Sequence, residues 1–351
     1  MRVALLGYGV AGAVFHGPLL AAADGCEVAT VVTRSPARAA AARHAHPGVR
    51  IVADPAQVWA AAGEHDLVVV ATPNDSHAPL ALAAIEAGLA VVVDKPLAPT
   101  AALARGVLAA AAAAGVPLTV FQNRRWDGDL RTLEALLAAG TLGQVARLES
   151  RFERWRPRLR PDAWRETTPA AEGGGLLLDL GSHLVDQVLH LWDAPAQVYA
   201  ELDARRPGVA AEDDVFLALG WPDGRRAHLW ASAVAADLGP RFRVLGSQGA
   251  FVVPGLDGQE DQLRTGMDPR DPAFGVTPAE RAGVLTDSAG EARALGLERG
   301  RYDAFYPAVR DALAHGAPLP VDPADAVRVL DILERARRSS ATGAPVALPA
   351  P

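Results

Sequence analysis

The stretch that decides the fold is VALLGYGVAGAVFHG (residues 3–17), where a short apolar run ends in glycines spaced G-x-G-x-x-G at Gly7, Gly9 and Gly12. This spacing lets a strand turn tightly, lets the backbone approach a pyrophosphate, and lets the next helix pack close to the sheet. Arg2 before an apolar run, with the small residues of LLAAADG, also fits a secretory signal peptide. The glycines interrupt the apolar run and favour a nucleotide-binding turn.

The segments after the glycines alternate between strand-like and helix-like patterns. The strand-like segments are RVALLG (2–7), VATVVTRS (28–35), DLVVVATPN (66–74), AVVVDKP (90–96) and LTVFQN (118–123). The helix-like segments are residues 13–23, 77–88 and 100–115. This alternation predicts an α/β Rossmann domain over residues 1–122, a doubly wound parallel sheet with its ligand at the carboxyl ends of the strands. We therefore expect cofactor contacts from Gly7, Tyr8, Gly9, Val10, Ala11 and Gly12.

Composition limits the class of protein. The chain of 351 residues exceeds the length at which one hydrophobic core usually stops growing, so two domains are expected. Hydrophobic residues make up 50% and charged residues 21%, which is typical of a globular protein. The net charge of −7 disfavours binding to nucleic acid and to anionic membranes. The single cysteine excludes an internal disulfide, and no apolar run is long enough to span a bilayer. We predict a cytoplasmic protein with no nucleic-acid and no membrane partner.

The pattern changes after Asn123. A predicted helix, LRTLEALLAAG, is followed by β-rich segments at residues 145–155, 197–206, 214–221, 225–234 and 241–253. The sequences WPDG and GSQG are typical of hairpin connections, which favours a largely antiparallel open sheet. Residues rich in Gly, Pro and charge predict an irregular region at 257–300, before two helices at 302–314 and 323–339. We predict an α+β domain over residues 123–351 that binds substrate and mediates oligomerisation.

The end of the second predicted strand bears on the choice of cofactor. An Asp or Glu at this place usually binds the ribose of NAD, whereas a nearby Arg accommodates the 2′-phosphate of NADP. Here the residues are Thr33, Arg34 and Ser35, with no carboxylate. We predict NADP in preference to NAD, bound in part by Thr33 and Arg34; in the alternative interpretation, Arg34 is a solvated surface residue.

Two further stretches, ATPNDSHAPLALAAIEAGLAVVVDKPLAPT (71–100) and GGGLLLDLGSHLVDQVLHLW (173–192), complete a set of motifs. With the glycine turn, they resemble the Gfo/Idh/MocA family of glucose-fructose oxidoreductases and inositol dehydrogenases over nearly the whole chain. The commoner family triplet is Glu-Lys-Pro, and here Asp94 carries the carboxylate on a shorter arm. We expect the cofactor site to include Thr72, Pro73, Asn74, His77, Asp94, Lys95, Pro96 and Gln122, and the resemblance adds Trp164 and Arg165.

Three residues have the chemistry that hydride transfer from an alcohol requires. The reaction needs a base for the hydroxyl proton and positive charge where alkoxide character develops, while the cofactor carries the hydride. Asp179 and His183 are four residues apart and share one face of a predicted helix, so the carboxylate can stabilise the protonated imidazole. Lys95 follows a strand's carboxyl end. We assign His183 as acid/base, Asp179 as its partner and Lys95 as a second proton-handling group, and the resemblance implies the same trio.

The stretches FQNRRWDGDLRTLEALLAAGTLG, DLGSHLVDQVLHLW and GLDGQEDQLRTG are similar to those of the NADP-dependent scyllo-inositol dehydrogenases in this family. This similarity implies a small-molecule substrate, a cyclic polyol or sugar, with scyllo-inositol or its inosose first. The resemblance also implies a homodimer or homotetramer. Residues suited to binding ring hydroxyls, besides the catalytic Lys95, Asp179 and His183, are Arg124, Asp127, Gln259 and Asp261.

Taken singly, these residues leave other interpretations open. Lys95 alone is more often a surface lysine, Asp179 a helix N-cap, and His183 a core histidine. His183, Asp186 and His190 have a helical spacing that suits a metal, but no fourth ligand is evident, so we predict no metal.

Two other function classes also remain. One is a non-catalytic relative that senses a nucleotide or sugar, which the intact catalytic trio disfavours. The other is a reductase of a non-sugar carbonyl or another double bond. The mixed aromatic and basic segment at 152–166 resembles base-stacking surfaces, but the acidic chain favours a loop beside the cofactor.

Overall fold

The computed structural model describes residues 1–159 and 164–349, which divide into two compact units. The first unit comprises Met1–Asn123, Gln259–Phe274 and Arg301–Val327. The second comprises Arg124–Gly258, Gly275–Gly300 and Arg328–Pro351. The first break lies one residue from the predicted boundary at 122, whereas residues 259–274 and 301–327, predicted in the second domain, group with the first unit.

The helices and strands follow one another along both units. The strands are β1 (Arg2–Leu6), β2 (Glu27–Val32), β3 (Arg50–Val52), β4 (Leu67–Val70), β5 (Ala90–Asp94), β6 (Leu118–Phe121), β7 (Val145–Glu153), β8 (Gln197–Asp203), β9 (Asp214–Gly220), β10 (Arg226–Ser232), β11 (Phe242–Gly246), β12 (Gly249–Val253), β13 (Gly283–Thr286), β14 (Ala292–Leu295) and β15 (Val346–Ala347). The α-helices are α1 (Gly17–Ala22), α2 (Pro36–Ala45), α3 (Ala56–Trp59), α4 (His77–Glu86), α5 (Ala101–Ala114), α6 (Gly128–Ala138), α7 (Trp164–Thr167), α8 (Ser182–Leu191), α9 (Gln259–Arg264), α10 (Phe305–His315) and α11 (Pro323–Thr342). Two π-helical segments, Ala11–His16 and Leu177–Gly181, run directly into α1 and α8.

The first unit contains a six-stranded parallel sheet in the order β3-β2-β1-β4-β5-β6. Every residue of β4 is buried, as expected for parallel strands covered by helices on both faces. This strand order is that of the doubly wound dinucleotide-binding fold. The predicted Rossmann architecture is confirmed, and β3, with only three residues, is the strand that sequence patterning missed.

Later segments complete the first unit because they pack on the last strand of its sheet. The Thr119 hydroxyl of β6 donates a hydrogen bond to the Val321 carbonyl at 2.7 Å. The ring of Phe121, at the end of β6, lies 4.8 Å from the ring of Phe305 in α10. These contacts, between residues distant in sequence, explain why a single boundary near residue 122 does not describe the unit.

The second unit contains a nine-stranded sheet in the order β14-β13-β12-β11-β7-β10-β9-β8-β15. The β7–β10 pair is parallel and the other pairs are antiparallel, so the predicted largely antiparallel sheet is confirmed. The WPDG and GSQG segments join β9 to β10 and β11 to β12, as predicted.

The prediction of an irregular region at 257–300 is wrong in part. This region contains α9 and the β13–β14 hairpin, which extends the sheet at its edge. Each of these strands has four residues, and β14 is mostly exposed, so neither carries a strong apolar alternation. The two predicted C-terminal helices are present as α10 and α11. None of the helices in the described ranges is both long and apolar enough to cross a membrane.

Candidate functional site

The loop after β1 holds the glycine motif. Gly7 has a φ of +93°, a left-handed conformation that favours glycine. A Cβ on Gly7 would lie 2.4 Å from the Ala71 carbonyl oxygen, and one on Gly12 would lie 2.2 Å from the Gly7 carbonyl oxygen. A Cβ on Gly9 would reach only the Arg38 guanidinium carbon, at 4.0 Å, among the described residues. The space beside Gly9 is the opening through which a pyrophosphate can approach the backbone, so these residues fit a dinucleotide.

The other residues predicted in this turn differ in exposure. Tyr8 is buried, and its hydroxyl lies 3.0 Å from His46 Nε2. These two side chains line a cavity of about 250 Å³ that α1 and residues 263–270 also border. Val10 is exposed, and Ala11 starts the π-helical segment. The sequence placed all of them in one turn, and the structure separates buried from accessible side chains.

Two arginines follow β2. The Ser35 hydroxyl accepts a hydrogen bond from the Arg38 backbone N–H at 3.4 Å and caps α2. Arg34 and Arg38 both have exposed side chains, and Thr33 is half-buried. The sequence pattern indicated Arg34 but not Arg38, whose guanidinium lies beside the space at Gly9. The available signal was its place in the first turn of the helix that follows the strand.

The loops after β4 and β5 are connected by His77. Its Nδ1 lies 2.7 Å from the Pro96 carbonyl oxygen and its Nε2 lies 2.8 Å from the Thr72 carbonyl oxygen. The Asp94 carboxylate accepts a hydrogen bond from the Lys95 backbone N–H at 2.9 Å. The structure therefore brings the two motifs together through a buried histidine, at the carboxyl edge of the parallel sheet.

The remaining predicted cofactor residues lie at the same edge or outside the described part. Asn74 is buried, Pro73 is exposed, and Gln122 is buried directly after β6. Nothing is described for the side chains of Trp164 and Arg165, although their backbones belong to α7. Contacts of all these residues with a cofactor stay predictions.

The second unit carries the other two predicted catalytic residues on one continuous helical segment. Asp179, which is half-buried, lies in the π-helical segment, and His183 lies in the first turn of α8. His183 is 5% exposed, and its ring lies 6.2 Å from the ring of Phe152 on β7. The short π-helical segment, a feature frequent at functional sites, is not visible in the sequence pattern.

Residues one turn beyond His183 hold α8 in place. The Arg125 guanidinium donates two hydrogen bonds to the Asp186 carboxylate, at 2.9 and 2.6 Å. The Gln187 amide donates to the Arg124 carbonyl at 2.9 Å. Asp186 is therefore bound to an arginine in the interior. In residues 1–159 and 164–349, no group of three His, Cys, Asp or Glu side chains could hold a metal ion.

A buried ionic cluster lies beneath this helix. Arg241, which is 1% exposed, lies 3.4 Å from the Asp129 carboxylate and 4.2 Å from the centre of the Phe152 ring. Asp127 is fully buried, 3.7 Å from Arg124. Burial raises the pKa of the Asp127 carboxyl well above its usual range and that of Asp129 to about 6. Asp127, predicted to bind substrate, thus lies among buried charges. The sequence did not predict a role for Arg241 or Asp129.

The two residues predicted on the GLDGQED stretch have different surroundings. Gln259 is fully buried, and its side-chain oxygen accepts a hydrogen bond from the Tyr302 backbone N–H at 2.8 Å. This bond connects the start of α9 to the turn before α10. Asp261 is exposed on α9. Gln259 therefore has a structural role, and substrate contacts by either residue stay predictions.

Comparison with known proteins agrees with this geometry. Residues 1–122 match the oxidoreductase family with an NAD-binding Rossmann fold, and residues 130–252 match the GFO/IDH/MocA C-terminal domain. The chain belongs to the GFO/IDH/MocA family. It is an oxidoreductase with an NAD(P)-binding Rossmann domain, in agreement with the glycine turn and the strand order described above.

Members of the GFO/IDH/MocA family match this chain over nearly its whole length. The uncharacterized oxidoreductase YdgJ of Escherichia coli K12 is 41% identical over 95% of this chain and 94% of its own. The scyllo-inositol 2-dehydrogenase (NADP(+)) IolW of Bacillus subtilis 168 is 34% identical over 97% of this chain and 94% of its own. The solved structure of yvaA from Bacillus subtilis has a TM-score of 0.93 at 32% identity, over 99% of each chain.

Proposed function

We propose that the protein transfers a hydride between NADP(H) and a ring hydroxyl or ketone of a cyclic polyol or sugar, with scyllo-inositol and its inosose as the first candidates. The observation that carries the proposal is the open space at Gly9 beside the Arg38 guanidinium, next to a strand end without a carboxylate. The relative named as an NADP(+)-dependent scyllo-inositol 2-dehydrogenase supports the substrate class.

The chemistry divides between the cofactor and three side chains. NADP, when bound, supplies the hydride acceptor. His183 takes the proton of the substrate hydroxyl, and the carboxylate of Asp179, four residues earlier on the same helical segment, stabilises the imidazolium that forms. The Lys95 ammonium binds the substrate oxygen and stabilises the alkoxide character that develops on it. In the reverse direction, His183 returns the proton to the ketone oxygen as hydride reaches its carbon.

A substrate panel tests the reaction. Purified protein is assayed with NADP and a set of inositols and aldoses, and with NADPH and a set of inososes and open-chain aldehydes. Oxidation of scyllo-inositol supports the proposal. Efficient turnover of open-chain aldehydes or aldoses, without turnover of scyllo-inositol or its inosose, contradicts the substrate class. Tight NADPH binding without turnover of any compound favours the sensing function instead.

Single substitutions test the roles of the three side chains. His183→Ala should lower kcat by about 10² to 10⁴, the usual contribution of a positioned acid/base group, while NADPH binding stays near normal. Asp179→Asn should lower kcat less, because the amide cannot stabilise a cationic ring. Lys95→Ala should be at least as damaging as His183→Ala, and the double variant should be far from additive. Near-normal turnover in either alanine variant would remove that residue from the mechanism.

The cofactor preference has its own test. A charge-assisted contact to a phosphate contributes about 1.5–3 kcal/mol, so Arg34→Ala and Arg38→Ala should each weaken NADP binding at least tenfold. NAD binding should change much less, because NAD lacks the 2′-phosphate. The exposed Arg43, at the other end of α2, is the matched control, and Arg43→Ala should change neither affinity. Equal losses for both cofactors would assign the arginines a structural role.

We also propose that the protein forms a homo-oligomer through the second sheet. In β10, Ala227 and Leu229 are buried, whereas His228 and Trp230 on the other face are half-exposed. The ring of Phe216 on β9 lies 5.1 Å from that of Trp230, which extends the aromatic surface. Aromatic residues on an open sheet face favour association with a second sheet.

A further inference from the structure

One titratable side chain of the first unit has no role in the proposed reaction, although it lies next to the Asp94–Lys95 turn. His16 is the last residue of the π-helical segment after the glycine motif. It is 0% exposed, and its ring lies 4.4 Å from that of Phe121. A side chain this deeply buried cannot touch substrate, so any influence on the reaction has to act through a neighbour.

The partner of His16 on one side determines which ring nitrogen carries the proton. Its Nδ1 lies 2.6 Å from the hydroxyl oxygen of Tyr306. Tyr306 is fully buried, and burial together with the nearby Asp94 charge raises the pKa of its hydroxyl well above the usual range, so the hydroxyl keeps its proton. A buried hydroxyl has to donate its hydrogen bond, and among the described residues His16 Nδ1 is the acceptor that lies within reach. The neutral ring therefore carries its own proton on Nε2.

The other ring nitrogen faces the active-site turn. His16 Nε2 is buried, has no hydrogen-bond partner in the described part of the chain, and lies 3.9 Å from Asp94 Oδ1. This distance is about 1 Å too long for a hydrogen bond. The same Asp94 oxygen accepts the bond from the Lys95 backbone N–H. A buried N–H donor without an acceptor is unfavourable, so a small shift of the half-buried carboxylate towards Nε2 is favoured.

We propose that His16 is a positioning residue for Lys95: it donates from Nε2 to the Asp94 carboxylate and so fixes the turn that carries the lysine. This inference rests on the proposed function of Lys95. Tyr306 holds the ring in the required tautomer, and Asp94 transmits its position to the Lys95 backbone.

Electrostatics around His16 are consistent with a neutral donor. Burial lowers the pKa of His16 to about 4, the charge of Asp94 opposes this change, and His77 on α4 adds to it. Between pH 5 and 8, His16 is therefore an uncharged donor to a carboxylate. Loss of this donor should leave the Asp94 charge less compensated beside the Lys95 turn, and so shift the pH dependence of turnover.

Two substitutions separate the two nitrogens. In His16→Gln the amide nitrogen can occupy the place of Nε2, whereas in His16→Asn the shorter side chain can replace only Nδ1. We expect His16→Gln to keep kcat within about threefold of the wild type, and His16→Asn to lose about tenfold with a shifted pH midpoint and little change in the KM for NADP. Equal losses in both variants, with an unchanged midpoint, would overturn the proposal and leave a packing role.

A measurement that needs no turnover tests the proposal even where a variant fails to fold. The ¹⁵N NMR shift of His16 Nε2 in the wild-type protein reports whether that nitrogen is protonated. A protonated Nε2 and unprotonated Nδ1 at pH 7, reversed or mixed in Tyr306→Phe, support the proposal. An unprotonated Nε2 in the wild type overturns it. Because this spectrum is independent of substrate, it also separates a failure of this inference from a failure of the proposed reaction.

Discussion

The glycines of the dinucleotide turn should separate into those required for folding and one required for binding. In Gly9→Ala, the added methyl meets only the Arg38 guanidinium carbon at 4.0 Å among the described residues, so it strains nothing in the protein. In Gly12→Ala, the methyl falls 2.2 Å from the Gly7 carbonyl oxygen, a backbone atom that cannot move without distorting the turn. We expect Gly9→Ala to change the free energy of unfolding by less than about 1 kcal/mol, and Gly12→Ala to lower it by about 1–3 kcal/mol.

Gly9→Ala should lose NADPH affinity although it keeps the stability of the wild type. The Gly9 methyl occupies the space through which a pyrophosphate approaches the backbone, so NADPH affinity should fall at least tenfold in a protein of unchanged stability. The assay combines urea unfolding without cofactor and NADPH titration by fluorescence. Gly106, in the interior of α5, is the matched control, because its Cβ would meet nothing within 4 Å among the described residues. Gly106→Ala should keep full NADPH affinity. Wild-type NADPH affinity in Gly9→Ala, or a loss of stability equal to that of Gly12→Ala, would refute this reasoning.

Two further predictions concern the second unit. In the folded protein the pKa of Asp129 is raised to about 6, so the protonated carboxyl stabilises the folded state. This contribution to the free energy of unfolding, on the order of 3 kcal/mol, is complete below the unfolded pKa near 4 and is lost as the pH rises to 6. In urea unfolding from pH 4 to 7, Asp129→Asn should show a shallower downward trend than the wild type, because only the contribution of the buried Asp127 remains, while the exposed Asp24→Asn keeps the full trend. Parallel curves for all three proteins would contradict the assignment. Trp230→Glu should reduce the molar mass measured by light scattering, because a charge then faces the proposed interface. Trp155→Glu, at an exposed tryptophan beyond the end of β7, is the control, and a wild-type monomer would end the oligomer proposal.

The architecture of the first unit was predictable because its pattern is local. Each buried strand is a continuous apolar run, each is followed by a helix, and the G-x-G-x-x-G spacing marks the first turn. Elements that are too short for such a pattern were not predicted: β3 has three residues, and the β13–β14 hairpin has four in each strand. The assignment of later segments to the first unit also escaped, because it depends on pairs such as Thr119 and Val321, which no local pattern connects.

The sequence motifs indicated which residues lie at the candidate site, but they did not predict the contacts that these residues make. The sequence placed Thr72, His77 and Lys95 near one sheet edge, since the carboxyl ends of neighbouring parallel strands meet there. It could not show that both ring nitrogens of His77 face backbone carbonyls, which makes this residue a connector between loops. Arg241 gave no signal at all, because its neighbour Asp129 lies on another element and its burial depends on the packed rings of β7 and β11.

Each of the two π-helical segments lies beside a histidine to which a role is assigned above. One follows the glycine turn and ends at His16, and the other contains Asp179 and leads into the helix of His183. A π turn takes one residue more than an α turn, so it rotates the side chains after it relative to those before it. Four residues still amount to about one turn in either geometry, which preserves the shared face of Asp179 and His183. In the first unit, the same local rewinding ends at the buried histidine that faces Asp94. Both segments therefore determine the direction of a histidine, although their apolar and glycine residues are indistinguishable by sequence from those of an ordinary helix.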